Sequence, residues 1–280
     1  MRYAGLATCA SKSVKRHICG PWRLWLRGGM ILPLPDAQVR AIDSGGREMA
    51  LRAPIAVDPT GRHVAYIARS THQLVVHSLT SGKINHLART AFGGVPMEQL
   101  DLLLSPAGRY LVIDPELGTQ ETSVFEVATG KRWTLPDYAK VMGFSADGRL
   151  LLVKLDGEES AVYSPGGRQP SGGTTVTGWV ALGDGGTTLA GVAREGGRVV
   201  VRFYATSNAM ESRKPLRLKI PPKQEPRRLD WASRDRLTLL TLRQPGSYVT
   251  RSVDTHTGRM HISDSYTTEQ NVWDIHLAGE

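Results

Sequence analysis

The sequence predicts an all-β protein built from repeated four-stranded units, and three observations support this. The chain of 280 residues contains 30 glycines and only 6% aromatic residues, and its apolar residues fall in many short runs. Such a composition is typical of turn-rich β proteins. Two kinds of short glycine turn recur between the apolar runs. With 40% hydrophobic and 22% charged residues, the chain is neither disordered nor a disulfide-rich scaffold.

The first glycine turn recurs along the chain, each time between two apolar runs. Glycine supplies the positive φ that such a turn requires, because it has no side chain to clash. Turns of this kind at short spacing join antiparallel strands. The aligned glycines are separated by 47, 40 and 38 residues. The copies are Asp58-Pro59-Thr60-Gly61-Arg62, Ser105-Pro106-Ala107-Gly108-Arg109, Ser145-Ala146-Asp147-Gly148-Arg149, Gly183-Asp184-Gly185-Gly186 and a degenerate Ser233-Arg234-Asp235-Arg236.

A second glycine turn follows the first at a nearly constant distance. From Gly61 to Gly82 is 21 residues, and from Gly108 to Gly130 is 22. Each unit is therefore predicted to run strand, tight turn, strand, variable loop, strand, tight turn, strand. Four strands in about 40–45 residues is the period of a β-propeller blade. The predicted structural turn residues are Gly61, Gly82, Gly108, Gly130, Gly148, Gly166, Gly186 and Gly258.

These units resemble the repeats of WD40-like and YVTN/TolB-type β-propellers. The copy most similar to that pattern is Ser105-Pro106-Ala107-Gly108-Arg109 with the later turn Val127-Ala128-Thr129-Gly130-Lys131. The resemblance covers about residues 50–280 and implies a propeller fold. It implies almost nothing about function, because the shared motif is a turn and not a site. The Gly-His and Trp-Asp pairs of strict WD40 repeats are missing from these units.

Five complete units and two terminal fragments predict six blades. A propeller ring closes when strands from both chain ends share one blade. We expect residues 30–52 and 271–280 to form that composite blade, so that N- and C-terminal strands close the ring. Seven blades are the alternative if the chain lacks part of its start. A further alternative is an open propeller, which would leave sheet edges exposed to solvent. The complete units span residues 53–90, 97–136, 138–170, 176–221 and 226–266.

The formal net charge of +9 points to a basic N-terminal segment. Residues 1–29 contain six Lys or Arg and no Asp or Glu, so residues 30–280 carry only +3. We therefore expect residues 1–29 to be a disordered basic tail, or to reflect a start that lies elsewhere, and residues 30–280 to form the propeller domain. Because Cys9 and Cys19 both lie in that tail, no disulfide framework and no cysteine-based zinc site is expected in the propeller.

The N-terminal segment does not have the pattern of a signal peptide, because no apolar stretch of roughly 7–15 residues follows its basic start. No run approaches the ~20 apolar residues of a membrane span. From this chain alone we expect a cytoplasmic protein, or an extracytoplasmic or membrane-tethered one if the true N-terminus lies upstream.

The sequence contains no catalytic motif that would identify an enzyme. A Gly-x-Ser-x-Gly nucleophile elbow, a His-Glu-x-x-His zinc motif and a glycine-rich phosphate loop are all missing. The pairs His72/His77 and His256/His261 are each five residues apart, which places the two members on opposite faces of a strand. No catalytic residue, metal ligand or cofactor is therefore predicted, and the binding residues stay unassigned.

The predicted function is a non-enzymatic protein-interaction or scaffold module. In an up-and-down blade both glycine turns lie on one face, and the loops between second and third strands and the linkers between blades lie on the other. Repeat folds usually place recognition where loop length varies. We expect a monomer whose partner is another protein and not a nucleic acid. The alternative is a propeller enzyme or small-ligand binder, lactonase-like or hydrolase-accessory, with its site in the central channel.

One stretch of the chain, residues 213–223, is basic throughout and has no acid. It indicates either a patch for an acidic partner or a solvated outer strand whose alternate apolar residues face inward. The second interpretation is favoured, because charge runs are usually solvated. The basic residues are Arg213, Lys214, Arg217, Lys219 and Lys223.

Overall fold

The computed structural model describes residues 1–9, 17–88, 95–115, 121–135, 140–155, 160–165, 167–168, 179–269 and 272–279. These residues form antiparallel β-sheets, six of which have four strands each. The sheets have the up-and-down strand order of propeller blades, so the predicted all-β propeller with six blades is confirmed. The chain divides into two compact units, described separately below: Met1–Tyr138 with Gln270–Glu280, and Ala139–Glu269.

The first unit contains three blades and one additional hairpin. One blade combines three N-terminal strands with the C-terminal strand Val272–Leu277. The hairpin follows that blade along the chain. The other strands are β1 (Tyr3–Cys9), β2 (His17–Trp25), β3 (Ile31–Leu34), β4 (Arg40–Ile42), β5 (Glu48–Arg52), β6 (Ile55–Val57), β7 (His63–Ile67), β8 (Leu74–Ser78), β9 (Ile84–His86), β10 (Leu100–Leu104), β11 (Tyr110–Pro115), β12 (Ser123–Glu126) and β13 (Arg132–Thr134).

The second unit contains three blades, each made of four consecutive strands. Together with the two later blades of the first unit, they correspond to the five complete repeats found in the sequence. The strands are β14 (Lys140–Phe144), β15 (Leu151–Lys154), β16 (Ser160–Ser164), β17 (Gly167–Arg168), β18 (Trp179–Leu182), β19 (Thr188–Glu195), β20 (Arg198–Ala205), β21 (Glu211–Leu218), β22 (Glu225–Ser233), β23 (Arg236–Gln244), β24 (Ser247–Asp254) and β25 (Met260–Thr267). The C-terminal strand of the first unit is β26.

The blade formed by the two chain ends corrects the expectation that residues 1–29 are a disordered tail. Its strand order is β26-β1-β2-β3, and Tyr3 lies opposite Leu277. The half-buried Arg23 stands between Trp22 and Leu24, which are both fully buried. Because side chains alternate across a strand, the segment can direct its charges away from the core and still bury its other face. The N- and C-terminal strands therefore close one blade, as expected, but β1 and β2, which were not predicted, also belong to it.

Residues 30–52 do not complete that blade as expected. Only Ile31–Leu34, as β3, belongs to it. Strands β4 and β5 instead form a separate two-stranded sheet in the linker to the next blade. A pattern of short strands near a turn does not say which sheet the strands join, because that depends on pairing with distant residues.

Cys9 and Cys19 form a disulfide, with their Cα atoms 5.7 Å apart. The expectation that both cysteines lie outside the fold is therefore wrong. In the pairing of β1 with β2, Thr8 lies opposite Ile18, which brings the neighbouring cysteines within bonding distance. The bond joins two strands of the blade that the chain ends share.

Seven of the eight glycines singled out in the sequence have φ between +65° and +71°. The eighth, Gly166, lies outside the described residues. The glycines between the first and second strands of a blade are buried, whereas Gly82 and Gly130, between third and fourth strands, are exposed. The buried ones are Gly61, Gly108, Gly148 and Gly186.

In the blades that have one of these buried glycines, the residue that opens the first turn is also buried. In three blades its side-chain oxygen accepts from the backbone N–H five residues later. An oxygen at this position therefore satisfies a backbone donor inside the turn. The pairs are Asp58 with His63 (2.9 Å), Ser105 with Tyr110 (2.8 Å) and Ser145 with Leu150 (3.0 Å).

Candidate functional site

In the first unit, the linker between the composite blade and the next blade lies on the variable-loop face. It runs beside the end of β7, where the Gln38 N–H donates to the Ile67 carbonyl (2.7 Å) and the Arg69 N–H donates to the Asp36 carbonyl (2.6 Å). The Tyr66 hydroxyl donates to Asp36 Oδ2 at 2.8 Å. Hairpin β4–β5 is inserted in this linker. This hairpin is an addition to the variable-loop face, because a four-stranded blade repeat does not include it.

The hairpin has an ordered turn and one packed side. Asp43 Oδ1 accepts hydrogen bonds from the backbone N–H groups of Gly45 and Arg47, both at 2.9 Å. Met49 packs against the buried apolar cluster of the first unit. On the same strand, Leu51 has 54% of its surface exposed. The hairpin therefore holds a large apolar side chain in solvent.

A pocket of about 260 Å³ lies beside Leu51. Apolar side chains of β6 and β10 form part of its wall, together with four polar or charged residues: Arg52, Glu98, Asp101 and His276. Glu98 Oε2 is buried and has no hydrogen-bond partner among the residues that the structure describes. It can accept a hydrogen bond from a group that enters the pocket.

His276 is uncharged at neutral pH. Desolvation lowers its pKa to about 3, and the positive charge of Arg52 acts in the same direction. The imidazole lies edge-on to the Trp22 ring, with ring centroids 5.8 Å apart. The pocket thus combines a neutral histidine with a buried carboxylate oxygen.

The second unit has a groove of about 700 Å³ between β21 and the turn that joins β24 to β25. Four cationic side chains line it, one from β20 and three from β21. The opposite wall is the turn Thr255–Gly258, and the lining includes one carboxylate, that of Glu195. The cationic residues are Arg202, Arg213, Lys214 and Arg217.

Arg202 is paired with two glutamates. Its guanidinium donates to Glu195 at 2.7 and 2.8 Å and also to Glu211. These hydrogen bonds raise the pKa of Arg202, and the hydrogen bond from Arg202 lowers the pKa of Glu195. Arg202 and its two glutamates together carry a net charge of about −1, so the positive charge of the groove comes from the three cations of β21.

Arg213 stacks on aromatic rings at the base of the groove. Its Cζ lies 3.8 Å from the centroid of the Phe203 ring and 5.8 Å from that of Trp231. Both rings are buried. Desolvation lowers the pKa of Arg213, and the charge of Asp235 opposes that shift. An arginine nevertheless remains protonated at neutral pH.

The basic stretch 213–223 forms an outer strand and the linker after it, as expected. Three of its five cations line the groove, whereas Lys219 and Lys223 do not. None of the seven described turn glycines lines the pocket, and among these seven only Gly258 lines the groove. The structure thus brings together cations that the favoured interpretation left dispersed in solvent.

The total charge of the chain does not reveal the positive charge of the segment that forms the groove. Residues 194–259 contain fifteen Lys or Arg and six Asp or Glu, a net charge of +9. Residues 30–193 carry −2 and residues 260–280 carry −4, so the sum over residues 30–280 is small. Counting charge in windows the length of one or two blades would have found this asymmetry.

Among the residues that the structure describes, no group of three or more His, Cys, Asp or Glu side chains could hold a metal ion. A membrane-crossing helix, judged by length and apolar character, is likewise missing from the described ranges.

No protein-family model matches the chain, and no curated protein matches it in sequence. Among solved structures it is similar to TolB from Acinetobacter baumannii, with a TM-score of 0.50 and 14% identity over 98% of this chain and 64% of that one. The chain thus spans less than two thirds of the length of that TolB. It is also similar to Kuenenia stuttgartiensis hydrazine synthase (TM-score 0.44, 14% identity, 78% of this chain and 68% of that one) and to a chain of a nidogen/laminin complex (0.45, 12%, 99% and 98%). The similarity to TolB shows a TolB-type β-propeller fold and nothing about activity or partners.

Proposed function

We propose that this β-propeller is a non-enzymatic protein-interaction module and that it binds its partner through the variable-loop face. The observation that carries the proposal is the inserted hairpin β4–β5, which presents Leu51 with 54% of its surface exposed. The partner is another protein, bound by a monomer of this chain.

The hairpin is suited to this role because it is ordered before any partner arrives. The hydrogen bonds of Asp43 fix its turn, and Met49 anchors it to the core. A contact surface ordered in advance loses little conformational entropy on binding. An exposed apolar side chain beside a pocket and charged neighbours has the composition of an interface core with a polar rim.

Site-specific photocrosslinking in the native host tests the proposal. A photoreactive amino acid replaces Leu51 in one variant and Ile84 in the other. Ile84 is an exposed apolar residue at the start of β9, the fourth strand of its blade. We expect position 51, and not position 84, to crosslink one defined protein. With that protein purified, Leu51→Asp should weaken binding at least about tenfold, whereas Ile84→Asp should leave it within about twofold. Equal crosslinking at both positions, or equal affinity of both variants, would refute the proposal.

A small-ligand site in the first unit is the second candidate function. The observation that favours it is the buried Glu98 Oε2, which lacks a partner among the described residues and borders the pocket. Such an oxygen would accept a hydrogen bond from an ammonium or amide group of a ligand.

Thermal shift measurements with a series of small primary amines test this second candidate. We expect an amine that raises the melting temperature of the wild type to lose its effect on Glu98→Gln and to keep it on Glu48→Gln, a change at an exposed carboxylate of the hairpin. If no amine shifts the wild type, or if both variants respond like it, the pocket is not such a site.

A further inference from the structure

We propose that the groove of the second unit binds an extended acidic segment of a partner protein. This surface is separate from the one proposed above, so either proposal can fail while the other stands. The groove is lined by Arg213, Lys214 and Arg217 of β21 and by the turn Thr255–Gly258.

The three cations of β21 are available to a ligand. No carboxylate among the described residues lies within 4 Å of their side-chain nitrogens, in contrast to Arg202. Of the acids nearby, Glu195 and Glu211 are engaged by Arg202, Asp235 contacts His256, and Asp254 accepts hydrogen bonds from Thr257. The residues that line the groove are four cations and one carboxylate, so its walls carry a net positive charge.

Arg213 is held in an orientation that suits a carboxylate. Its guanidinium stacks on the buried Phe203 ring at 3.8 Å, and stacking leaves the in-plane N–H groups available as donors. An arginine fork can bind the two oxygens of a carboxylate at once. The stacked rings restrict the side chain, so less entropy is lost when it binds.

The opposite wall adds polar groups. Thr255 Oγ1 is buried in the groove wall and has no hydrogen-bond partner among the described residues. His256 Nε2 lies 2.9 Å from Asp235 Oδ1, which fixes the ring at the rim. A carboxylate entering the groove would meet its charged donors on the β21 wall, because the other donors of the turn are already used by Asp254 and Asp235.

The strand edge explains why the segment is expected to bind through its side chains. β21 is the last strand of its sheet, and no described strand pairs with its outer edge. Pro215 interrupts that edge and has no N–H to donate, which disfavours strand addition. A different role for the three cations of β21 would be to prevent this edge strand from pairing with strands of other chains. In that case the groove would have no affinity for acidic peptides.

The same features disfavour a nucleic acid as the ligand. Two glutamates interrupt the line of cations at Arg202, whereas a phosphate backbone requires a continuous basic track. The rings of Phe203 and Trp231 lie beneath Arg213 and are buried. They therefore do not offer the exposed faces on which unpaired bases stack.

Fluorescence anisotropy with the full-length protein tests the proposal. The probes are a labelled twelve-residue peptide of alternating Glu and Ser, the same peptide with Gln for Glu, and a single-stranded dT12 oligonucleotide. We expect the Glu peptide to bind and the Gln peptide not to bind. Raising NaCl from 50 to 500 mM should weaken the Glu peptide at least about tenfold, because salt screens the exposed charges.

Two double variants with equal charge change locate the site. Lys214→Gln with Arg217→Gln removes two groove cations, whereas Lys219→Gln with Lys223→Gln removes two cations of the same segment outside the groove. All four side chains are exposed, so both variants should keep the wild-type melting temperature. The groove variant should weaken the Glu peptide about tenfold and the matched variant less than about twofold.

A third variant, Arg213→Lys, keeps the charge but removes the guanidinium fork, and it should also weaken the Glu peptide severalfold. Equal losses in both double variants would mean that the peptide senses only the total charge. That result, no binding of the Glu peptide, or tighter binding of dT12 than of the Glu peptide would overturn the proposal.

Discussion

Gly108 carries two structural demands at one position. Its φ of +65° is a conformation that L side chains rarely adopt. A Cβ there would also lie 2.7 Å from Cγ of His63, in the preceding blade of the first unit. Gly130 has a similar φ of +71°, but a Cβ at that position would meet nothing within 4 Å. Comparing alanine substitutions at the two positions therefore distinguishes the free-energy cost of the backbone conformation from the cost of a steric overlap with the preceding blade.

Gly108→Ala should therefore lower the free energy of unfolding more than Gly130→Ala does. The left-handed conformation alone costs about 1–2 kcal/mol for an alanine, and the overlap with His63 should add about 1–3 kcal/mol at position 108. Urea denaturation of both variants measures the difference. Equal losses would mean that His63 moves aside and that the blades do not constrain this turn.

His276 should make stability depend on pH. The folded protein lowers the pKa of this histidine to about 3, whereas an unfolded chain has a histidine pKa of about 6.5. The unfolded state therefore takes up a proton first as pH falls, and stability is lost progressively from about pH 6.5 down towards the folded pKa.

Replacing His276 with Gln should make the free energy of unfolding fall less steeply between pH 6.5 and 4.5, about the range in which only the unfolded histidine is protonated. Urea denaturation at several pH values measures this slope. His261→Gln, at an exposed histidine, is the control. An unchanged slope in the His276 variant would show that this imidazole is hydrated in the folded protein.

At the scale of the element, the first turn of a blade depends on its opening residue as well as on its glycine. Ser105 and Ser145 are completely buried, and each satisfies a backbone N–H five residues later. The sequence shows a small polar residue at this position of the repeat. It does not show that the side chain is enclosed, since that depends on how the turn packs in the folded blade.

Removing that acceptor should destabilise the blade. Ser105→Ala and Ser145→Ala each leave a buried backbone donor without its side-chain partner, at a cost of about 1–3 kcal/mol. Ser44→Ala, at an exposed residue of the hairpin turn, should change the free energy of unfolding by less than about 0.5 kcal/mol. Thermal or urea unfolding distinguishes them, and losses as small as that of Ser44→Ala would show that water replaces the lost oxygen.

At the scale of the whole molecule, the sequence predicts blades made of consecutive strands but not pairing between strands that are far apart in the chain. The five repeats were recognisable because each blade is made of consecutive strands with its own turn glycines, such as Gly108 and Gly130. The role of Tyr3 was not, because its partner Leu277 lies at the other end of the chain. The groove cations were missed for a related reason. Their charge is offset in the sum by acids elsewhere in the sequence.

Removing β26 should expose the edge of β1. A variant lacking residues 272–280 leaves one edge of β1 without its pairing strand, and an unpaired edge strand promotes self-association. We expect this variant to form oligomers or aggregates in size-exclusion chromatography with light scattering.

A circular permutant provides the control for this truncation. It joins residue 280 to residue 1 through a short linker and opens the chain at the exposed turn Ser81–Gly82, so that β26 still pairs with β1. This permutant should have the same oligomeric state as the wild type. A truncated variant that also matched the wild type would show that β26 does not protect the edge.

The pairing of β1 with β26 also determines when this blade can be completed during synthesis. Ribosomes make β1 about 270 residues before β26, so the edge of β1 must wait for its partner. At about 5–20 residues per second, that interval is about 15–50 s. Other blades can form as soon as their four consecutive strands have emerged. The nascent chain thus carries one open edge throughout, and this edge is where we expect a chaperone to be needed.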